Sequence, residues 1–121
     1  MEYKRGDIVL VNFNPQKKPE EISKIRPAII VSDTQLNEIL DLVSVIALTT
    51  NLIDDALPLR VRIAKKDNLK ENSDAMIEQL RSVSKSRIGE KLTSLSEEQL
   101  SQIEYGIKAM LGFVKIKNIK I

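Results

Sequence analysis

The chain has neither histidine nor cysteine, so any chemistry it performs must come from carboxylates, hydroxyls, lysines or arginines. Thiol nucleophiles, imidazole proton shuttles, disulfides and the usual zinc ligand sets drop out together. The remaining reactive side chains concentrate in four places. Arg26 stands directly before Pro27 at the mouth of an apolar run, Thr49-Thr50-Asn51 ends another, a charged stretch from Gln16 to Lys24 carries Glu20 and Glu21, and Glu78-Gln79-Leu80-Arg81 interrupts a third. Each also has an ordinary reading. A guanidinium at a strand mouth pairs readily with an acidic neighbour, threonines are common in strands, and charged loops are usually solvated. Geometry adds a constraint: along an unbroken strand Gln79 and Arg81 share one face while Glu78 points to the other, so all three line one groove only if the strand is irregular.

The elements that must position these groups follow from the pattern of apolar residues. Ile8-Val9-Leu10-Val11-Asn12-Phe13 follows the turn at Gly6 and ends at Asn14-Pro15, which predicts a strand buried on both faces. A loop to Lys24 precedes a second strand at Ala28–Val31, with Pro27 at its start. Thr34–Asp41 fits either a short helix or a packed loop. Val43–Leu48 is a third strand. Leu57, Leu59, Val61 and Ile63 alternate with Pro58, Arg60 and Arg62, predicting a strand with one wet face. After a polar loop over Asp67–Ser73, a fifth strand is expected from about Ala75 to Val83, and a short sixth at Gly89–Leu92. Ser96 and Gln99 stand in capping-box spacing ahead of Leu100, Ile103, Ile107, Met110 and Leu111, an amphipathic helix that Gly112 ends. Phe113–Ile121, with three interleaved lysines, reads as a guarded edge strand.

Successive short strands closed by one helix argue for an antiparallel β-barrel or strongly bent sheet with a helix across one end. At 121 residues the chain has room for one domain, residues 1–121, with one core. Apolar residues make up 42% but include only two Phe, two Tyr and no Trp, so isoleucine, leucine and valine must build that core. The formal charge of +2 produces no global field favouring nucleic acid, although a local basic groove remains open. No secretory signal and no apolar run near the roughly 18 residues needed to cross a bilayer are present, which predicts a cytoplasmic protein without membrane contact.

Three ordered segments resemble the signature blocks of the MazF/PemK/Kid family of bacterial toxins: Lys4-Arg5-Gly6-Asp7-Ile8-Val9-Leu10-Val11, Arg26-Pro27-Ala28-Ile29-Ile30-Val31 and Ala47-Leu48-Thr49-Thr50. Ile77-Glu78-Gln79-Leu80-Arg81, the turn Lys85-Ser86-Arg87 and the terminal helix extend the similarity over nearly the whole chain. Two departures accompany it. The loop before Arg26-Pro27 lacks the glycine common in the family, and Met76 stands where the PemK/Kid branch places a second arginine, which puts the chain nearer the MazF branch. The resemblance implies an SH3-like barrel, usually a two-fold homodimer, and a metal-independent endoribonuclease that cuts single-stranded RNA without a cofactor. It assigns catalysis to Arg26 and Thr49, with Glu78 at the acidic position some members use in proton transfer. Asn14, Lys18, Glu21, Thr50, Gln79 and Arg81 fall at substrate-binding positions. The implied partner is a cognate antitoxin whose disordered acidic tail folds onto the groove.

RNA cleavage without a metal needs a 2′-OH deprotonated, a phosphorane-like charge stabilised and the departing 5′-oxygen protonated. A guanidinium supplies a forked charge matched to phosphate oxygens, and a nearby hydroxyl adds another hydrogen bond to the same charge. Arg26 and Thr49 suit those tasks. The base stays open among Glu21, Glu78 and Arg26, the last strained by the high guanidinium pKa. Two other readings stand beside this one: a CcdB-type toxin that shares the barrel but poisons DNA gyrase by binding, and a catalytically inactive binding module of the same fold.

Overall fold

The structure, a computed structural model, describes residues 2–13 and 25–116. Its elements in chain order are β1 (Asp7–Asn12), β2 (Ile25–Ile30), α1 (Thr34–Ile39), β3 (Leu42–Thr49), β4 (Arg60–Ile63), β5 (Ser73–Met76), β6 (Arg81–Ser84), β7 (Ile88–Ser94) and α2 (Glu97–Met110). The seven strands form one sheet in the order β4-β5-β3-β2-β1-β7, with β6 also paired to β3, and every pairing is antiparallel. The expected antiparallel β fold with a C-terminal helix is what forms. The sheet does not close into a ring among the described residues, since β4 and β7 are its two ends.

Both faces of this sheet are buried, which is why β1 and β3 read as continuous apolar runs rather than alternating ones. One face carries Ile8, Ile29, Ile46, Leu48, Val61, Ile63 and Ala75, joined by Ile103 of α2. The opposite face carries Val9, Val11, Ala28, Ile30, Val43, Val45 and Val83, with Tyr3 and Phe13 packed against them. Each fully buried aliphatic side chain contributes about 1.5–3 kcal/mol by area transfer. Two one-residue register shifts between β1 and β7, at Ile8/Val9 and Val9/Val11, increase the local twist and bend the sheet.

The β3–β5–β6 region departs most from expectation, because the single strand predicted over 75–83 is two strands. Leu48 pairs with Ala75, and Val45 pairs with Arg81. Three steps along β3 are thus matched by six along the partner, and the surplus is a 3₁₀ turn at Ile77–Gln79. This insertion decides where Glu78, Gln79 and Arg81 point.

Four other expectations change. The undecided Thr34–Asp41 segment is a helix capped by Asp33, whose side chain accepts from the N–H groups of Gln35 and Leu36. The strand predicted from Leu57 begins only at Arg60, because the amides of Leu59 and Arg60 turn back onto the Ala56 carbonyl. The short sixth strand extends over Ile88–Ser94, held along β1. Phe113–Ile116 forms no strand, and 117–121 lies outside the described residues.

Helix α2 starts where predicted. Ser96 and Gln99 make both bonds of the capping box, and Gly112 takes φ +82° after the last turn. Of the five apolar residues expected to pack, Ile103 is fully buried, Leu100, Ile107 and Met110 are half-buried, and Leu111 is exposed. Gly106 makes the close approach: a Cβ there would lie 2.6 Å from the Pro58 carbonyl oxygen and 3.1 Å from Ile77. Glycine lets α2 press on the 3₁₀ turn that carries the candidate site residues.

Candidate active site

Arg26 lies in β2, exposed, where the strand leaves the core. It pairs with Val11 across β1, and pairing with β3 begins two residues later at Ala28, opposite Ala47. Pro27 is the third residue of β2 and precedes that pairing, so its missing N–H costs no ladder bond to β3. Carried two residues further, the register of Ala28 with Ala47 and Ile30 with Val45 sets Arg26 opposite Thr49. Residues opposite each other in an antiparallel pair share a face. Arg26 and Thr49 therefore face the same side as Ala28, Ala47 and Val45.

On that face a cavity of about 270 Å³ is lined by Phe13, Arg26, Ala47, Gln79 and Arg81. Among the described residues its two charged side chains are both guanidiniums and no carboxylate lines it. The Arg81 guanidinium stacks over the Phe13 ring at 5.4 Å, a cation–π contact that fixes the long side chain and leaves a flat surface beside it. Gln79 reaches the cavity because the 3₁₀ turn places it there, while Arg81 starts β6 opposite Val45.

Thr49 ends β3 half-buried, two residues beyond Ala47. Its Oγ1 accepts the Asn51 N–H at 3.1 Å, which holds the hydroxyl in one orientation and leaves its own proton to donate. Glu78 is not brought into this group. Its carboxylate lies 3.6 Å from the guanidinium of Arg60, and Arg60 lines a separate cavity of about 460 Å³ with Ile53–Leu57, Arg62, Asp74 and Gln102. Thr50 is exposed past the strand end and lines a third cleft with Leu10, Pro27, Leu48, Leu69 and Leu92. Asn14, Lys18 and Glu21 lie outside the described residues.

Two site residues escaped the sequence reading. Phe13 continues the β1 parity of Val9 and Val11, a signal present in the sequence, but nothing in that apolar run marks the cavity beside it. Asp74 sits opposite Thr49 in β5 and opposite Arg62 in β4. It is 1% exposed, bonds Arg62 Nε, and accepts the Ile53 N–H at 2.7 Å. A lone aspartate between Ser73 and Ala75 gives no hint of burial until Arg62 is known to face it. Hydrogen bonds donated to Asp74 first and Asp54 second hold the Arg62 guanidinium protonated well beyond its ordinary range.

Residues 4–111 match the family described as the PemK-like, MazF-like toxin of type II toxin–antitoxin systems. The chain is 32% identical over 118 residues to the endoribonuclease MazF of Staphylococcus saprophyticus, an alignment covering 97% of this chain and 98% of that protein. Among solved structures, MazF from Deinococcus radiodurans matches with a TM-score of 0.75 at 22% identity, over 93% of this chain and 98% of that one. An endoribonuclease from a mycobacterial species, solved with its cognate antitoxin, gives a TM-score of 0.75 at 18% identity over the same shares. The structural likenesses carry the fold, and the sequence matches carry the kinship. The chain belongs to the PemK-like, MazF-like family of type II toxin–antitoxin toxins.

Proposed function

We propose that this protein is the endoribonuclease toxin of a toxin–antitoxin pair, cutting single-stranded RNA at the face shared by Arg26 and Thr49. The observation that carries the reading is the cavity holding, among the described residues, two guanidiniums and no carboxylate, with an oriented hydroxyl at the end of β3. A phosphodiester is the ligand such a site favours: Arg26 forks onto the phosphate oxygens and Thr49 donates to the charge that grows on them. Gln79, Arg81 and the Phe13 ring hold the flanking nucleotide by hydrogen bonding and stacking, the usual way single strands are gripped.

In this reaction the substrate's 2′-oxygen bonds to phosphorus as the P–O5′ bond breaks, giving a 2′,3′-cyclic phosphate and a 5′-hydroxyl. The 2′-OH proton passes to a base and a proton is delivered to the 5′-oxygen. We assign the base to Glu21 rather than Glu78. In sequence Glu21 lies between Phe13 and Arg26, two residues of the cavity, whereas Glu78 is held by Arg60. Asn14 and Lys18, on the same segment, contact the RNA backbone.

The protein acts in the cytoplasm as a homodimer; Ile39 and Phe113, each 76% exposed, are surface a partner would cover. Among the described residues no helix is long and apolar enough to cross a membrane. A disordered acidic antitoxin segment lying on the Arg26–Arg81 cavity would compete directly with RNA. The test is an RNA carrying a single deoxyribose at the mapped cut site, incubated with chelator. It should bind and stay whole there while the all-ribose strand is cut; cleavage of the chimera at that position refutes attack by the 2′-OH.

A further inference from the structure

We propose that Asp74, together with Arg62, is the positioning device for the Thr49 hydroxyl: the two clamp the exposed segment that leaves β3, and through it hold the hydrogen bond from Asn51 that orients Thr49. The inference rests on the assignment of Thr49 to the scissile phosphate.

Residues 50–55 are all exposed, and the next buried position is Ala56. A segment with no buried side chain samples many backbone states unless polar bonds hold it. Two bonds do so here. Asp74 Oδ2 accepts the Ile53 N–H at 2.7 Å, and Arg62 Nη2 donates to Asp54 Oδ1 at 2.8 Å. The two anchors are themselves joined, because Arg62 Nε donates to Asp74 Oδ1. Asn51 lies between this clamp and the strand end, and its N–H donates to Thr49 Oγ1 at 3.1 Å. With the segment held, Thr49 uses one lone pair on Asn51 and directs its proton outward. With the segment released, Asn51 N–H drifts away and the hydroxyl rotates among its staggered wells.

The pairing pattern supports the same assignment. Asp74 is the direct neighbour of Thr49 on β5, and Arg62 is the direct neighbour of Asp74 on β4. Asp74 therefore stands beside the site without entering it. It does not serve as a base, since both carboxylate oxygens already accept hydrogen bonds and the group is 1% exposed. A lysine at position 62 would not replace the arginine, because one ammonium on a flexible stem lacks the fork that spans Asp74 and Asp54.

A residue that acts through Thr49 has no effect when Thr49 is gone, and that separates positioning from general destabilisation. Single-turnover cleavage of a short RNA is measured for the full chain, Thr49→Ala, Asp74→Asn and the double variant, with folding checked by circular dichroism. In the Thr49 background Asp74→Asn should lower the cleavage rate about tenfold or more, with half-saturation changed less than about twofold, as expected for a misplaced group. In the Thr49→Ala background the same substitution should change the rate by less than about twofold. An equal loss in both backgrounds overturns the proposal, as does an unchanged or raised rate in the Thr49 background. A wild-type rate for Thr49→Ala instead overturns the assignment of Thr49, and the inference with it. Should Asp74→Asn not fold, Asn51→Pro, which removes the orienting N–H at an exposed position, enters the same cycle with the same expected and contrary outcomes.

Discussion

Asp74 of β5 lies directly opposite Thr49 of β3, yet its carboxylate is turned onto Arg62 and the Ile53 amide rather than toward Arg26. The β2–β3 register sets Arg26 on the β2 side of Thr49, and on its β5 side stands a carboxylate already bonded to Arg62 and the Ile53 amide. In the proposed reaction this asymmetry would set the developing negative charge of a cleaving phosphate, among the described residues, beside the guanidiniums of Arg26 and Arg81.

Glu78 is predicted to be dispensable for the chemical step. Glu78→Gln should leave the cleavage rate within a few-fold of wild type, because the carboxylate faces Arg60 instead of the cavity. It should cost some stability, since Arg60 Nη1 is already buried without a hydrogen-bond partner among the described residues. Rate and urea midpoint measured on one preparation separate the effects. A loss near a hundredfold in rate with stability unchanged would return Glu78 to proton transfer.

Arg81 is predicted to grip the RNA backbone rather than cleave it. Arg81→Ala should weaken binding of a non-cleavable RNA and reduce the slope of log affinity against log salt by about 0.7, the increment for one phosphate contact on a single strand. Phe13→Ala should weaken binding too, through lost stacking and a released Arg81, while leaving that slope nearly unchanged. Fluorescence anisotropy across a salt series measures both.

Gly106→Ala is predicted to destabilise the protein by about 1–3 kcal/mol despite alanine's better helix propensity, since the new methyl meets the Pro58 carbonyl oxygen at 2.6 Å. Because α2 rests there on Ile77 of the 3₁₀ turn, the variant should also reduce RNA affinity through Gln79. Chemical denaturation and the binding assay check the pair; an unchanged denaturation midpoint contradicts the packing account.

Much of the fold was legible because two of its longer strands are buried on both faces, which writes them as plain apolar runs, and because Ser96, Gln99 and Gly112 mark the final helix at both ends. The choice of Arg26 and Thr49 as candidate partners came from the segments that resembled the family blocks, not from periodicity. The break between β5 and β6 was not readable, since Ala75-Met76-Ile77 continues a strand pattern and the turn is fixed by packing against α2 at Gly106. Strand parity poses two alternatives, an irregular strand or a structural Glu78, and both hold together. The strand is irregular, and the irregularity turns Glu78 outward. Asp74 was invisible for a related reason, since its role depends on a partner twelve residues away whose own alternation marked a wet face.

The most direct measurement is the RNA cleavage rate of folded Arg26→Ala, taken with chelator present and read from mapped ends. Arg26 is exposed, so the fold should lose no more than about 0.5 kcal/mol, while the rate should fall by about 10²–10³-fold, the usual cost of one oxyanion-stabilising group. Arg26→Lys should recover little, because the fork is lost. Cleavage by Arg26→Ala at the wild-type rate, with the same cyclic-phosphate ends, would contradict the placement of the reaction at this site.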